Sequence, residues 1–141
     1  MTWKQRYQQA HELNFKEKYP TAYADQHYHN PAYPDVRKAN GLTLAISNFV
    51  NWNGYRATRI SSAGRQVGGK YIYGTTRRGT ADLSLTLKGM AVMIEIKVGA
   101  DRASEHQINE QAKERAAGGV YEFIHNMDQF IEFYDSFINK V

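Results

Sequence analysis

Three charged side chains, those of Asp82, Glu95 and Lys97, are spaced so that they can act together. Residues 79–99 (GTADLSLTLKGMAVMIEIKVG) predict two strands, because leucines alternate with polar residues in the first and the second is almost wholly apolar. Lys88-Gly89 is the predicted two-residue turn, which sets Asp82 directly opposite Glu95. The Cβ atoms of opposed residues lie about 4.5–5.5 Å apart. Lys97 follows Glu95 on the same face of its strand.

This spacing favours the binding of a divalent cation. Two like charges that face each other across a sheet repel unless a proton or a cation lies between them. Mg²⁺ takes oxygen ligands, commonly one or two carboxylates, and leaves its other positions to water and phosphate oxygens. An ammonium beside it, such as that of Lys97, can orient a bound water. The alternative is structural: Glu95 and Lys97 form a plain ion pair on a solvated strand face.

Helices and strands are predicted on both sides of this hairpin. Apolar residues at helical spacing predict a helix that Gly54 ends before a strand through Ile60. After the hairpin, Ser104 and Gln107 form a capping box that starts a helix running to Ala117. The segment VYEFIH (120–125) predicts a strand. The apolar positions of a closing helix are Phe130, Phe133, Tyr134, Phe137 and Ile138.

The remaining segments predict a helix, an arm and a loop. A capping box of Thr2 and Gln5 starts an N-terminal helix. Residues 19–36, which hold all three prolines and four tyrosines, predict an irregular arm. Residues 61–79 are rich in glycine and polar side chains and predict a mobile loop at the rim of the site.

The order of these elements resembles the PD-(D/E)xK nuclease superfamily, and most closely its virus-type replication-repair (VRR-NUC) branch. The matching motifs, from about Val36 to Tyr134, are Gly79-Thr80-Ala81-Asp82, Glu95-Ile96-Lys97, Ser104-Glu105-His106-Gln107 and Gly118-Gly119. The resemblance implies an α/β fold with a restriction-endonuclease-like core, a mixed sheet of about four strands in α-β-β-β-α-β order, and extra N- and C-terminal helices. It divides the chain into an N-terminal helix and Tyr/Pro-rich arm (1–35) and a nuclease domain (36–141).

The resemblance also implies the role of each site residue. Asp82, Glu95 and the backbone carbonyl of Ile96 are the implied ligands of Mg²⁺ or Mn²⁺. Lys97 and Gln107 are the implied positioning groups for the attacking water. The implied activity is metal-dependent hydrolysis of DNA phosphodiester bonds, selective for flaps or for branched (Holliday) junctions, in replication, repair or recombination.

The first core helix departs from the resembled pattern at one position. Relatives often carry a glutamate near the start of the first core helix, where it helps to hold a bound water. The matching residue here is Asn40, whose amide can hydrogen-bond a water or simply cap the helix. The missing carboxylate supports an alternative function, that of a catalytically inactive, nuclease-like module that binds nucleic acid.

Charge is segregated along the chain, although the net charge is only +4. Residues 36–81 contain eight basic residues and no acid, so they carry +8, whereas the remainder has 10 basic and 14 acidic residues and carries −4. A basic stretch beside an acidic metal pair is typical of a surface that binds a phosphodiester backbone. The residues predicted to contact nucleic acid are Arg65, Lys70, Arg77, Arg78 and, at a helix N-terminus, Ser104.

Composition excludes several other classes. The chain has no cysteine, which excludes a disulfide framework, a thiolate zinc site and thiol redox chemistry. No apolar run approaches the roughly 20 residues of a membrane span, and the N-terminus lacks the apolar core of a signal peptide. We expect a cytoplasmic protein of a bacterial or phage-infected cell that acts on linear, flapped or branched DNA without a membrane partner. Paired cuts in a branched junction need two sites, so a homodimer is expected there.

Overall fold

Helices and strands are mixed along the chain in an α/β fold, as the sequence predicts. The computed structural model describes residues 1–60, 65–72 and 81–140, with the backbone alone at 65–67, 71 and 72. In chain order the elements are α1 (Trp3–Lys18), α2 (Pro20–Ala24), α3 (Ala39–Trp52), β1 (Arg56–Arg59), β2 (Arg65–Val67), β3 (Lys70–Ile72), β4 (Leu83–Leu87), β5 (Met90–Ile96), α4 (Glu105–Ala116), β6 (Val120–Ile124) and α5 (Met127–Ile138).

A mixed sheet of four strands, in the order β1-β4-β5-β6, forms the centre of the protein. β1 pairs with β4 and β4 with β5 antiparallel, whereas β5 pairs with β6 in parallel. The parallel pair requires a crossover, which α4 supplies. β2 and β3 form a separate antiparallel hairpin. The prediction of a loop over 61–79 is therefore wrong at 65–72, and the rest of that loop lies outside the described residues.

The β4–β5 hairpin has the predicted register. Leu87 pairs with Met90 across the turn, and Ser84 pairs with Met93. Lys88 and Gly89 both have positive φ, 51° and 78°, as the two central residues of a type I′ turn require. The Lys88 ammonium donates to the backbone oxygens of Ile138 and Lys140 at the end of α5. These contacts fix the turn against the closing helix.

The two faces of the sheet are covered differently. One face packs against α3 and α5, and α1 packs on these two helices. The apolar core on this face includes Leu42, Ile46, Phe49 and Val50 of α3, the three leucines of β4, and Phe130, Tyr134 and Phe137 of α5. The other face carries Glu95 and is covered by α4, whose Gln107 donates to Glu95 and whose Gln111 donates to the carbonyl of Tyr121. Alternation along β5 therefore separates the core from the candidate site.

The N-terminal helix packs into the same core. The capping box of Thr2 and Gln5 is present, and the Arg6 guanidinium donates twice to the Asp135 carboxylate of α5, both at 2.7 Å. Tyr7 is buried and its hydroxyl accepts from Asn48 of α3 at 3.0 Å. These contacts join α1 to the helices that cover the sheet.

The arm over 19–36 is partly regular. Residues Pro20–Ala24 form the short helix α2, which corrects the prediction of a wholly irregular segment. Proline suits the first turn of a helix because its fixed φ is helical and its missing N–H would have no intrahelical partner there. None of the helices in the ranges given above is long and apolar enough to cross a lipid bilayer.

Candidate metal centre

The candidate site lies where β4 begins and β5 ends. Leu83 pairs with Ile94, so the preceding Asp82 reaches the level of Glu95, as the hairpin register predicts. The Asp82 carbonyl accepts from the N–H of Ile60, just beyond β1, at 2.8 Å. Its carboxylate oxygen Oδ2 accepts from the N–H of Ile96, also at 2.8 Å. Two neighbouring strands therefore hold Asp82 beside Glu95.

Glu95 is buried, with only 4% of its surface exposed, and its two carboxylate oxygens have different surroundings. Oε1 accepts from Gln107 Nε2 at 2.7 Å and lies 3.5 Å from the Lys97 ammonium. Oε2 is buried and has no hydrogen-bond donor among the described residues. The carboxyl of Asp82 lies within hydrogen-bonding reach of Glu95. The two carboxyl groups can share a proton or a cation. If both are ionised and neither is present, they cannot hydrogen-bond to each other, because a carboxylate only accepts.

The protonation of Glu95 follows from these surroundings. Burial, and next the negative charge of Asp82, raise the pKa of Glu95 to about 7, although the positive charge of Lys97 opposes the shift. A large fraction of Glu95 is therefore protonated at neutral pH. A bound divalent cation would displace this proton, because a carboxylate ligand binds in its ionised form.

Lys97 is buried as well, with 6% of its surface exposed. Its ammonium lies 3.5 Å from Glu95 Oε1 and 3.6 Å from Asp101 Oδ2. The alternative of a solvated strand face is therefore wrong, although the ion pair that it included is present. Burying such a pair costs several kcal/mol per ion in desolvation, and the attraction within the pair does not always offset it. The site is an unfavourable arrangement for a purely structural role.

Gln107 connects the start of α4 to the carboxylates. Its N–H and its Oε1 complete the capping box with Ser104, at 3.2 and 2.9 Å. Its Nε2 is the group that donates to Glu95. The predicted capping box is confirmed, and the same cap aims the Gln107 amide at the site. Ser104 is exposed at the helix end, and its contact with nucleic acid stays a prediction.

The backbone of Ile96 adds an oxygen on the Asp82 side. The N–H and C=O of one strand residue point to the same side. Because the Ile96 N–H donates to Asp82 while the Lys97 N–H donates to Ile124 of β6, the Ile96 carbonyl is directed toward Asp82. Two carboxylates and one carbonyl fit a Mg²⁺ or Mn²⁺ ion that takes its other ligands from water and phosphate. Within the described ranges, no group of three or more His, Cys, Asp or Glu side chains is arranged so that it could hold a metal ion.

The structure contradicts one of the two roles predicted for Asn40. α3 begins at Ala39, so Lys38 is the N-cap and Asn40 lies inside the first turn. The prediction that Asn40 caps the helix is therefore wrong. Its side-chain oxygen accepts from Arg59 Nη2 at 2.9 Å. Arg59 ends β1 one residue before Ile60, the partner of Asp82. Hydrogen bonding of a water by Asn40 stays a prediction.

The predicted basic contacts are only partly described. Lys70 is exposed on β3. Arg65 lies on β2, where the backbone alone is described, and Arg77 and Arg78 lie outside the described residues. Their contact with nucleic acid therefore stays a prediction.

The structure adds Tyr121 to the surroundings of the site. Tyr121 of β6 is buried on the same side of the sheet, since it pairs with Met93 of β5. Burial, together with the charges of Glu95 and Asp82, raises the pKa of Tyr121, so its hydroxyl keeps its proton. No local pattern in the sequence signals this proximity, because the register of a parallel pair depends on the crossover rather than on a turn.

No protein-family model and no curated protein matches this chain significantly.

Proposed function

We propose that this chain is a divalent-metal-dependent nuclease of the PD-(D/E)xK superfamily, in its VRR-NUC branch. The observation that carries the proposal is the pair formed by half-buried Asp82 and buried Glu95, in which Glu95 Oε2 has no donor among the described residues. The succession of α3, β1, β4, β5, α4 and β6, with the β2–β3 hairpin inserted after β1, supports a restriction-endonuclease-like core.

The proposed ligands of Mg²⁺ or Mn²⁺ are the carboxylates of Asp82 and Glu95 and the carbonyl of Ile96. When bound, such an ion activates water and stabilises the negative charge that develops on the phosphate and the leaving oxygen. Lys97 and Gln107 contact Oε1 of Glu95. Each also retains N–H groups that can orient a water. The N-terminus of α4 adds a positive partial charge that favours a phosphate nearby.

The proposed substrate is DNA, cleaved at flaps or branched junctions. The basic stretch over 36–81 supports attraction to the phosphate backbone. Selectivity for flaps or junctions depends on analogy with the proposed family. A second candidate function, binding of nucleic acid without catalysis, is favoured by the amide at Asn40, which replaces the carboxylate expected near the start of α3.

Cleavage assays distinguish the two candidates. Linear, flapped and four-way DNA are incubated with the protein in Mg²⁺, in Mn²⁺ and in EDTA. We expect cleavage only with a metal, and its loss without loss of DNA binding in Asp82→Ala and Glu95→Ala. Glu132→Ala, on the exposed side of α5, is the matched control and should cleave normally. Cleavage near the wild-type rate in Asp82→Ala or Glu95→Ala refutes the assignment of the site, and binding without cleavage in the wild type favours the inactive module.

A further inference from the structure

A cavity of about 420 Å³ opens next to the candidate metal centre. The loop of residues 99–103, which connects β5 to α4, forms one part of its wall, and Phe123 and His125 at the end of β6 form another. Lys97 belongs to the same lining, and its ammonium lies 3.5 Å from Glu95. The cavity therefore adjoins the site through Lys97, and its volume lies within the roughly 300–1,000 Å³ of small-molecule pockets.

Phe123 is the aromatic residue of this lining. It pairs with Glu95 in the β5–β6 register, so the two side chains share a sheet face on strands roughly 4.8 Å apart. The ring of buried Tyr121 packs edge-on against the Phe123 ring, at 5.5 Å between centroids and an interplanar angle of 69°. Phe123 itself is only half-buried. One aromatic ring is thus held in place by another and still contributes surface to the cavity.

The charged groups of the lining suit a nucleotide. Exposed Arg102 and exposed His125 supply cationic or hydrogen-bonding groups. Asp101 is the single acid of the lining, and its carboxylate lies 3.6 Å from the Lys97 ammonium. The negative charge of Asp101 is therefore partly compensated. Gly99, Ala100 and Ala103 have small side chains or none and leave room for a flat group. A base that stacks on an aromatic ring while its phosphate meets cations is a common mode of single-strand binding.

We propose that this cavity binds one unpaired nucleobase of the strand that is cleaved at Asp82 and Glu95, with the face of the base stacked on Phe123. This inference rests on the proposed nuclease function and deepens it. A base inside a closed duplex is paired and stacked and cannot enter the cavity without being extruded. The substrate should therefore carry an unpaired nucleotide next to the cleaved phosphate, as a flap or a single strand does.

Binding of abasic oligonucleotides tests this inference separately from cleavage. Fluorescence anisotropy in EDTA compares a single-stranded thymidine oligonucleotide with versions in which one base at a time is removed. In the wild type, we expect removal of the base at one or two positions to weaken binding by about 5-fold to 150-fold, the effect of losing one contact between a base and an aromatic ring. In Phe123→Leu, which keeps an apolar side chain, removal of the same bases should change little.

Two further variants keep the result interpretable. Ala103→Leu narrows the cavity and leaves Phe123 in place, so it should remove the same dependence on the base even if Phe123→Leu fails to fold. The matched control is Phe133→Leu, because Phe133 is a half-buried residue of α5 that packs against the core. This variant should keep the dependence of binding on the base. Equal binding of all abasic versions by the wild type, or an unchanged penalty in folded Phe123→Leu, overturns the inference even where metal-dependent cleavage is found. Absence of both oligonucleotide binding and cleavage refutes the proposed function and the inference together.

Discussion

Replacing Glu95 by glutamine should stabilise the metal-free protein in a pH-dependent way. Glutamine keeps the shape of the side chain, can still accept from Gln107, and brings an N–H₂ group that can donate to Asp82. It removes a buried carboxyl that ionises near neutral pH. The native protein with protonated Glu95, at low pH, carries the same charges as the variant, so the two proteins should differ mainly where Glu95 is ionised.

The magnitude follows from the pKa of Glu95, which is raised from 4.5 to about 7 in the folded protein. Between these values the native state binds more protons than the unfolded state, so the free energy of unfolding falls as pH rises toward 7 and is then constant. At about 1.36 kcal/mol per pKa unit, the wild type loses about 2–3 kcal/mol relative to Glu95→Gln between pH 5 and pH 8. For a chain of this size the difference in Tm changes by roughly 8 °C.

Thermal unfolding in EDTA at pH 5 and pH 8 measures this difference. The control is Glu132→Gln, because Glu132 is an exposed acid of α5. Its Tm should equal that of the wild type at both pH values. Mn²⁺ at pH 8 should raise the Tm of the wild type, because it binds the folded protein, and should have little effect on Glu95→Gln. A difference in Tm between Glu95→Gln and wild type that is the same at pH 5 and pH 8 would refute the reasoning, since it would mean that Glu95 is ionised as freely as in water.

Three further predictions concern catalysis, DNA binding and assembly. Lys97→Met should impair cleavage but keep the fold and metal-independent DNA binding. Circular dichroism and anisotropy check this, and loss of the fold would favour a structural ion pair. Arg77→Ala with Arg78→Ala should weaken binding to all DNA sequences and reduce the log–log salt slope by roughly 0.9 for each phosphate that is no longer neutralised, whereas an unchanged slope would show that these arginines face elsewhere. Sedimentation at micromolar concentration should show a dimer, and paired cutting of four-way junctions by a monomer would contradict it.

The hairpin that carries the site could be predicted because local features determine it. Alternation along β4 and the two-residue turn at Lys88-Gly89 fix which residues face each other. The pairing of Leu83 with Ile94 and of Leu87 with Met90 follows directly. The capping box of Ser104 and Gln107 is equally local. Both features depend on residues close together in sequence, so no tertiary contact has to be known in advance.

Burial at the site could not be predicted, because it depends on α4 and β6. Glu95 and Lys97 resemble a solvated strand face in sequence, but both are buried in the fold, where Gln107 of α4 contacts Glu95. The positions of Tyr121 and Phe123 depend on the parallel β5–β6 register, which no turn sets. The β2–β3 hairpin has strands of three residues in a glycine-rich segment, too short for a periodic signal.

Calorimetric titration with Mn²⁺ tests most directly the claim that Asp82 and Glu95 hold a divalent cation. Titrations at pH 6 and pH 8, each in two buffers of different ionisation enthalpy, report both binding and the protons released. We expect binding by the wild type, its loss in Asp82→Ala and in Glu95→Ala, and more proton release at pH 6 than at pH 8, because Glu95, with a pKa of about 7, must give up its proton to bind the ion. Binding of unchanged affinity in both variants would contradict the claim.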